Sequence, residues 1–212
     1  IASSTDFGDL TEPRRRTQSL SNSTRAVHVG GTSASPASLY RNEIDFNTIA
    51  TAGNSTDFGD TLSAHVATGG SVASSTRGVY SAAFVSGSYV NTLEFITIAT
   101  TGNGQDFGDL NGGTIGYHHR GSTCDSTRGL FSGGYNPLGQ VQNKIDFITI
   151  ASTGNATDFG DLFLARRSAG GTSNSIHSIF AGGYLPGTNN TIDRVVIQTT
   201  GNAKDFGDLF AK

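Results

Sequence analysis

The sequence predicts an all-β array built from one repeated module, and three observations predict it. The tetrapeptide Asp-Phe-Gly-Asp begins at Asp6, Asp57, Asp106, Asp158 and Asp205, so successive copies are 51, 49, 52 and 47 residues apart. Self-similarity at a near-constant period of this size marks a stack of supersecondary units. Each later copy is preceded by a run that alternates apolar and polar residues, as in Thr191 to Thr199 with Ile192, Val195 and Ile197, which is the period-two signature of a strand. Glycine and asparagine punctuate every copy, and no window sustains helical periodicity.

Residues 158 to 204 show the elements in order. After Asp158-Phe159-Gly160-Asp161 come Leu162 to Ala165, the basic pair Arg166 and Arg167, and a Ser/Ala/Gly run to Ser173. Ser175 to Ala181 reads as a strand closed by Gly182-Gly183-Tyr184, and a loop with Pro186, Gly187 and Asn189 follows. The alternating strand Thr191 to Thr199 then ends in the Gly201-Asn202 turn. Three or four short strands per unit result. The double glycine recurs as Gly30-Gly31 and Gly133-Gly134 but becomes Ala82-Ala83 in the second unit. Ile44-Asp45-Phe46, Leu93-Glu94-Phe95 and Ile145-Asp146-Phe147 repeat the alternating strand, and Gly53-Asn54, Gly102-Asn103 and Gly154-Asn155 repeat the turn. Ser-Thr-Arg precedes the second strand at Arg25, Arg77 and Arg128, with His177 in that slot in the last unit.

Composition narrows the class. A net charge of -3 argues against general nucleic-acid binding, which needs an excess of basic residues. One cysteine, Cys124, excludes an intrachain disulfide framework. No apolar run is long enough for a transmembrane helix, and no signal-peptide pattern opens the chain. With 29 glycines and 35% hydrophobic residues, thin strand-rich layers are expected rather than a large helical core.

The glycine pair and Tyr184 after one strand, Asp193 in the next, the aromatic Phe206 and an arginine opening the unit, Arg166, together resemble the kelch repeat. That resemblance implies a β-propeller, or a segment of one, made of four-stranded blades of about 50 residues. The blades would fall near residues 11–60, 61–109, 110–161 and 162–209, with partial units at 1–10 and 210–212. The chain departs from the pattern in having Phe where kelch repeats carry Trp, and in lacking the glycine pair and the arginine in its second unit. The wording TIATTGN followed by DFGDL is also similar to glycine-rich kelch-like arrays in structural and appendage proteins of marine bacteriophages. Ragged units at both ends suggest a slice of a longer array of five to seven blades; a four-bladed ring with a closing strap is the other reading.

The recurring Phe7, Phe58, Phe107, Phe159 and Phe206 are expected to pack blade on blade, each ring burying roughly 150 to 250 Å². The neighbouring glycine is expected to admit a close backbone approach, and the flanking aspartates to bond backbone amides and hold a turn. A repeated calcium site is the competing reading, but the spacing does not match an alternating calcium loop. Arg25, Arg77 and Arg128 form an equivalent set, each expected to pair with an adjacent blade's Asp or with loop carbonyls. A second basic position follows each Asp-Phe-Gly-Asp and includes Arg14, Arg15, His65, His118, Arg120, Arg166 and Arg167. On one face of a propeller these cations would suit an anionic glycan or another virion protein.

Catalysis has little support. The five histidines are scattered over the units, adjacent His118 and His119 make a poor metal chelate on a strand, and Cys124 lies in a Ser/Thr/Asp loop. Neither a cofactor nor a metal is expected. The expected role is non-enzymatic: a structural or decorating protein of a phage particle or fibre, located in the virion. Its inter-blade loops would serve adhesion to a host surface glycan or protein, and its partners would be other virion proteins or copies of itself. The alternative is a cytoplasmic kelch-type adaptor that binds a protein partner on the loop face.

Overall fold

The structure, a computed structural model, describes residues 3–33, 39–66, 68–111 and 117–210. Ile1 and Ala2, assigned above to a preceding unit, and Ala211 and Lys212, assigned to a further one, lie outside the described residues. The described residues form strands and no helix, so none offers a helix long and apolar enough to cross a membrane.

Four antiparallel meanders follow one another along the chain. The first contains β1 (Arg14–Arg15), β2 (Gln18–Ser21), β3 (Arg25–Ser33), β4 (Tyr40–Thr48) and β5 (Thr56–Val66). The second consists of β6 (Ser71–Ala73) and β7 (Arg77–Ser81), then, after the small hairpin β8 (Phe84–Val85) and β9 (Ser88–Tyr89), β10 (Thr92–Thr97) and β11 (Gln105–Asp109). The hairpin pairs with the end of β5 and so joins the first sheet. The third is β12 (Gly121–Cys124), β13 (Arg128–Ser132), β14 (Lys144–Thr149) and β15 (Thr157–Asp161). The fourth is β16 (Gly170–Ser173) and β17 (His177–Ala181), then, after the hairpin β18 (Tyr184–Leu185) and β19 (Gly187–Thr188), β20 (Thr191–Val196) and β21 (Lys204–Asp208). The first strands contact each other in series, β2 with β6, β6 with β12 and β12 with β16. The fourth sheet's first strand, β16, is exposed along its length.

Ser-Thr-Arg recurs because of the turn it completes. The side chain just before it accepts two backbone N–H groups: Asn22 from Thr24 and Arg25, Ser74 from Thr76 and Arg77, Asp125 from Thr127 and Arg128. Asn174 does the same for Ile176 and His177. A short polar side chain supplies the acceptor that the turn's backbone lacks.

Asp-Phe-Gly-Asp is a strand here, not the turn expected from its aspartates. Four copies lie in the last strand of each sheet, and opposite them the third strand shifts register at Ile44/Asp45, Leu93/Glu94, Ile145/Asp146 and Ile192/Asp193. The first three of these strands each fasten to the Gly-Asn turn of the next sheet. Gly102, Gly154 and Gly201 donate their N–H to the carbonyls of Phe58, Phe107 and Phe159 at 2.7 to 2.8 Å. In return, Asn103, Asn155 and Asn202 accept the N–H of Asp60, Asp109 and Asp161 at 3.0 to 3.1 Å. The first copy does the same to the first sheet, with Gly53 bonding Phe7 and Asn54 bonding Asp9. The intervening glycine has φ near +140°, and a Cβ at Gly59 would stand 2.6 Å from the Gly102 carbonyl oxygen. Only glycine lets the two backbones approach this closely.

Between sheets lie three apolar layers, each with one of the repeated phenylalanines. Phe58 packs with Val27, Ile44, Tyr80 and Ile98; Phe107 with Val79, Leu93, Phe131 and Ile150; Phe159 with Leu130, Ile145, Phe180 and Ile197. These three rings are 2% exposed, whereas Phe7 is 45% and Phe206 56% exposed, because each of the latter lacks a sheet on one side. Replacing Phe58, Phe107 or Phe159 by Ala is expected to cost about 3–5 kcal/mol in a denaturant unfolding experiment, and replacing Phe206 less than about 0.5 kcal/mol.

Candidate functional site

The loops that lead into the sheets carry the basic residues singled out in the sequence, and the structure divides them into two sets. Arg14, His65, Arg120 and Arg166 were expected on the loop face, and all four are corrected here: their side chains point into the protein. The reason is the acidic residue on the third strand of each sheet, which is buried and needs a counter-charge or a donor. Arg14 meets Asp45 at 2.5 Å, Arg120 meets Asp146 at 2.6 Å and Arg166 meets Asp193 at 3.0 Å, all with inaccessible side chains. Further guanidinium N–H groups donate to backbone carbonyls, Arg14 to Glu43, Arg120 to Phe131 and Arg166 to Phe180, while the Nε of all three is buried without a partner among the described residues.

Arg120 and Arg166 reach equivalent aspartates from different backbone positions. Arg166 stands four residues before Gly170, the start of its sheet; in the third sheet, starting at Gly121, that slot is Tyr117, and Arg120 lies over the Tyr117 ring at 5.7 Å. The second sheet replaces the whole arrangement. Glu94 takes the aspartate's place and accepts hydrogen bonds from Leu62 N–H and the Tyr80 hydroxyl, both at 3.0 Å, while burial pushes its carboxyl above the ordinary value. His65 stacks on Tyr80 with ring centroids 6.2 Å apart and donates Nδ1–H to the Ser63 carbonyl; burial lowers its pKa, so it stays neutral.

Arg25, Arg77 and Arg128 tie neighbouring sheets together. Each guanidinium lies 4.3 to 4.4 Å over a phenylalanine of its own sheet, Phe46, Phe95 or Phe147. Each also donates to a carbonyl of the next sheet: Arg25 to Ile98, Arg77 to Ile150 and Ala151, Arg128 to Ile197.

Arg15 is exposed, and His118 and Arg167 are half-buried on the surface of the loops. The latter two belong to a ladder of rings drawn from the loops and hairpins of all four units. Tyr40 meets Phe84 (6.0 Å between centroids), Phe84 meets Tyr89 (5.0 Å), Tyr89 meets His118 (4.8 Å) and His118 meets Tyr135 (5.4 Å). Arg167 then lies 4.8 Å from both Tyr135 and Tyr184. Tyr135 and Tyr184 follow the glycine pair of their units, as Phe84 follows Ala82-Ala83, so Gly134-Tyr135 and Gly183-Tyr184 were the available signal. The glycines make the room: a Cβ at Gly183 would approach the Arg167 carbonyl oxygen to 2.7 Å.

A cleft of about 260 Å³ opens beside this ladder, lined by Arg16, Thr32, Tyr40, Val66, Thr68, Phe84, Tyr89, His118 and His119. Arg16 and His119 each sit two residues before a first strand and hold left-handed φ of 58° and 57°, as Ser168 does in the fourth unit. This conformation costs an L-residue about 1–2 kcal/mol. Burial, followed by the fields of His119, Arg167 and Arg16, lowers the His118 pKa to about 4, and burial and the two arginines lower His119 as well. Both rings are neutral at pH 7, and the cleft carries positive potential without an acidic wall. A larger hollow of about 310 Å³ beside Gly201-Asn202 recurs next to the same turn in the first two sheets, at about 280 and 260 Å³, and so belongs to the repeat itself.

No group of three or more His, Cys, Asp or Glu side chains is gathered for a metal among the described residues. Cys124 directs its Sγ to the Ala73 carbonyl at 3.3 Å, and burial raises its pKa, which keeps it a thiol. No protein-family model and no curated protein matches the chain.

Two measurements check these assignments. Arg166→Met strands the Asp193 carboxylate and is expected to cost about 3–5 kcal/mol, most of it recovered by adding Asp193→Leu. The unfolded chain protonates His118 near pH 6.5 but the folded one only near 4, so that side chain withdraws stability as pH falls through this window. The drop in melting temperature between about pH 7 and 4.5 is therefore expected to be smaller in His118→Gln than in the parent protein.

Proposed function

We propose that the four sheets are consecutive blades of a kelch-like β-propeller, or of a segment of one. The protein would be a non-enzymatic structural or decorating component of a phage particle or fibre, with its loop face adhering to a host surface glycan. In favour of the propeller are the serial contacts of the first strands and the identical fastening of each last strand to the next sheet. The resemblance of the TIATTGN and DFGDL wording to phage appendage arrays carries the virion part.

The single observation behind adhesion is the ladder from Tyr40 to Tyr184. Aromatic faces and a stacked guanidinium suit sugar rings, which present flat apolar C–H surfaces edged by hydroxyls. A protein partner would be met as well by a larger apolar patch; this face instead carries guanidinium groups, Arg15 and Arg16 from the first unit and Arg167 from the fourth.

Screening the purified chain against bacterial surface polysaccharides tests the reading. Retention of an acidic polysaccharide is expected, weakened about tenfold by Arg167→Ala or Tyr184→Ala, a loss of about 1.4 kcal/mol, with the unfolding midpoint little changed. Absence of retention, or retention indifferent to both substitutions, would overturn it.

A further inference from the structure

We propose that the cleft at the foot of the ladder is a subsite for one pyranose ring of an acidic sugar, a uronic acid in chemical class. The inference deepens the adhesion reading and rests on it for the larger glycan, but the subsite is defined by its own atoms.

Three residues that line this cleft carry a buried polar atom without a hydrogen-bond partner among the described residues: Thr32 Oγ1, Thr68 Oγ1 and His118 Nε2. A buried polar atom left unpaired is costly, and three of them in the wall residues of one concavity are uncommon in a folded protein. Threonine hydroxyls donate and accept, as sugar hydroxyls do, so a threonine that turns its hydroxyl into the cleft meets a ring hydroxyl in either sense. The remaining wall is apolar or aromatic, with Phe84 and Tyr89 in edge-to-face contact at 5.0 Å, and so offers a surface for the C–H face of the ring.

Size and charge narrow the ligand. Clefts that enclose a drug-sized molecule measure about 300–1,000 Å³, so a cleft of about 260 Å³ takes a single ring with its substituents. Arg16 is exposed at the rim and no Asp or Glu lines the wall, so a carboxylate directed to Arg16 would meet a donor and no repulsion. A neutral hexose would fill the same space but leave that guanidinium unused.

The test is titration of the purified chain with glucuronate, with glucose as the neutral control and acetate as the carboxylate control, followed by NMR shifts or calorimetry. Glucuronate is expected to bind more tightly than glucose, with acetate ineffective. Thr68→Val and Thr32→Val are expected to weaken binding at least fivefold while leaving the melting temperature equal or higher, because each removes a buried hydroxyl that the protein does not satisfy. Arg16→Gln is expected to abolish the preference for glucuronate over glucose. If the polysaccharide is retained yet both threonine variants bind like the parent, the subsite is wrong and the adhesion reading survives. If glucuronate occupies the cleft but no polysaccharide is retained, the subsite stands and adhesion fails. Equal binding of glucose and glucuronate, unmoved by Arg16→Gln, would overturn the acidic assignment.

Discussion

The contact between the last strand of one sheet and the Gly-Asn turn of the next is the constraint on which the molecule depends. It joins two backbones at hydrogen-bond distance across the sheet boundary, and this places the adjacent phenylalanine, Phe58, Phe107 or Phe159, inside the apolar layer. The glycine between phenylalanine and aspartate is required because the neighbouring carbonyl occupies the space where a Cβ would stand. Directional bonds set the distance and angle of the next sheet, and non-directional burial supplies the free energy. Repetition of one local solution then orders the whole array, and sheets so spaced bring loops from different units side by side on one face.

The buried acid on each third strand is a second recurring problem with more than one solution. Three sheets neutralise it with an arginine, and the second sheet uses Tyr80 and the Leu62 amide around Glu94, with the carboxyl pushed above its ordinary value. The loss of arginine at His65, the change from Asp to Glu and the appearance of a tyrosine hydroxyl are therefore one coordinated change. A buried ion pair stripped of one partner is costly, and replacing the pair by a hydrogen-bonded set of lower charge avoids that cost.

These cases show what could be read from the chain. Repeats, strands, turns and the burial of Phe58, Phe107 and Phe159 follow from local patterns that recur at a fixed period, so sequence exposes them. The destinations of Arg14, Arg120 and Arg166 do not follow, because the basic clusters around them look alike while one residue of register decides whether a side chain turns inward to an aspartate or outward to the ladder. Arg166 and Arg167 are neighbours with opposite fates. The cleft was hidden for a different reason: Arg16, Thr32, Thr68, Tyr89 and His118 come from three units and, Arg16 and Thr68 apart, share no position in the repeat, so only the packing of the sheets brings them together.

The two outer faces of the array differ in chemistry, and this gives it a direction. Register places His28 of the first sheet where Tyr80, Phe131 and Phe180 stand in the others, each opposite the third-strand acid. His28 bonds Ser19 and Asn47, and Asn47 in turn accepts from Ser55 and donates to the Gly53 carbonyl. Asn47 stands two residues beyond Asp45, the position of Ile96, Ile148 and Val195 in the inner layers. A face that is apolar between the other sheets is thus polar and internally satisfied on the first sheet. The fourth sheet has no such network: Phe206 and Leu209 are 56% and 45% exposed where Phe159 and Leu162 are 2% and 3%. The first sheet thus meets water through a closed polar network and the fourth through apolar side chains, so one strand pattern yields faces of opposite chemistry.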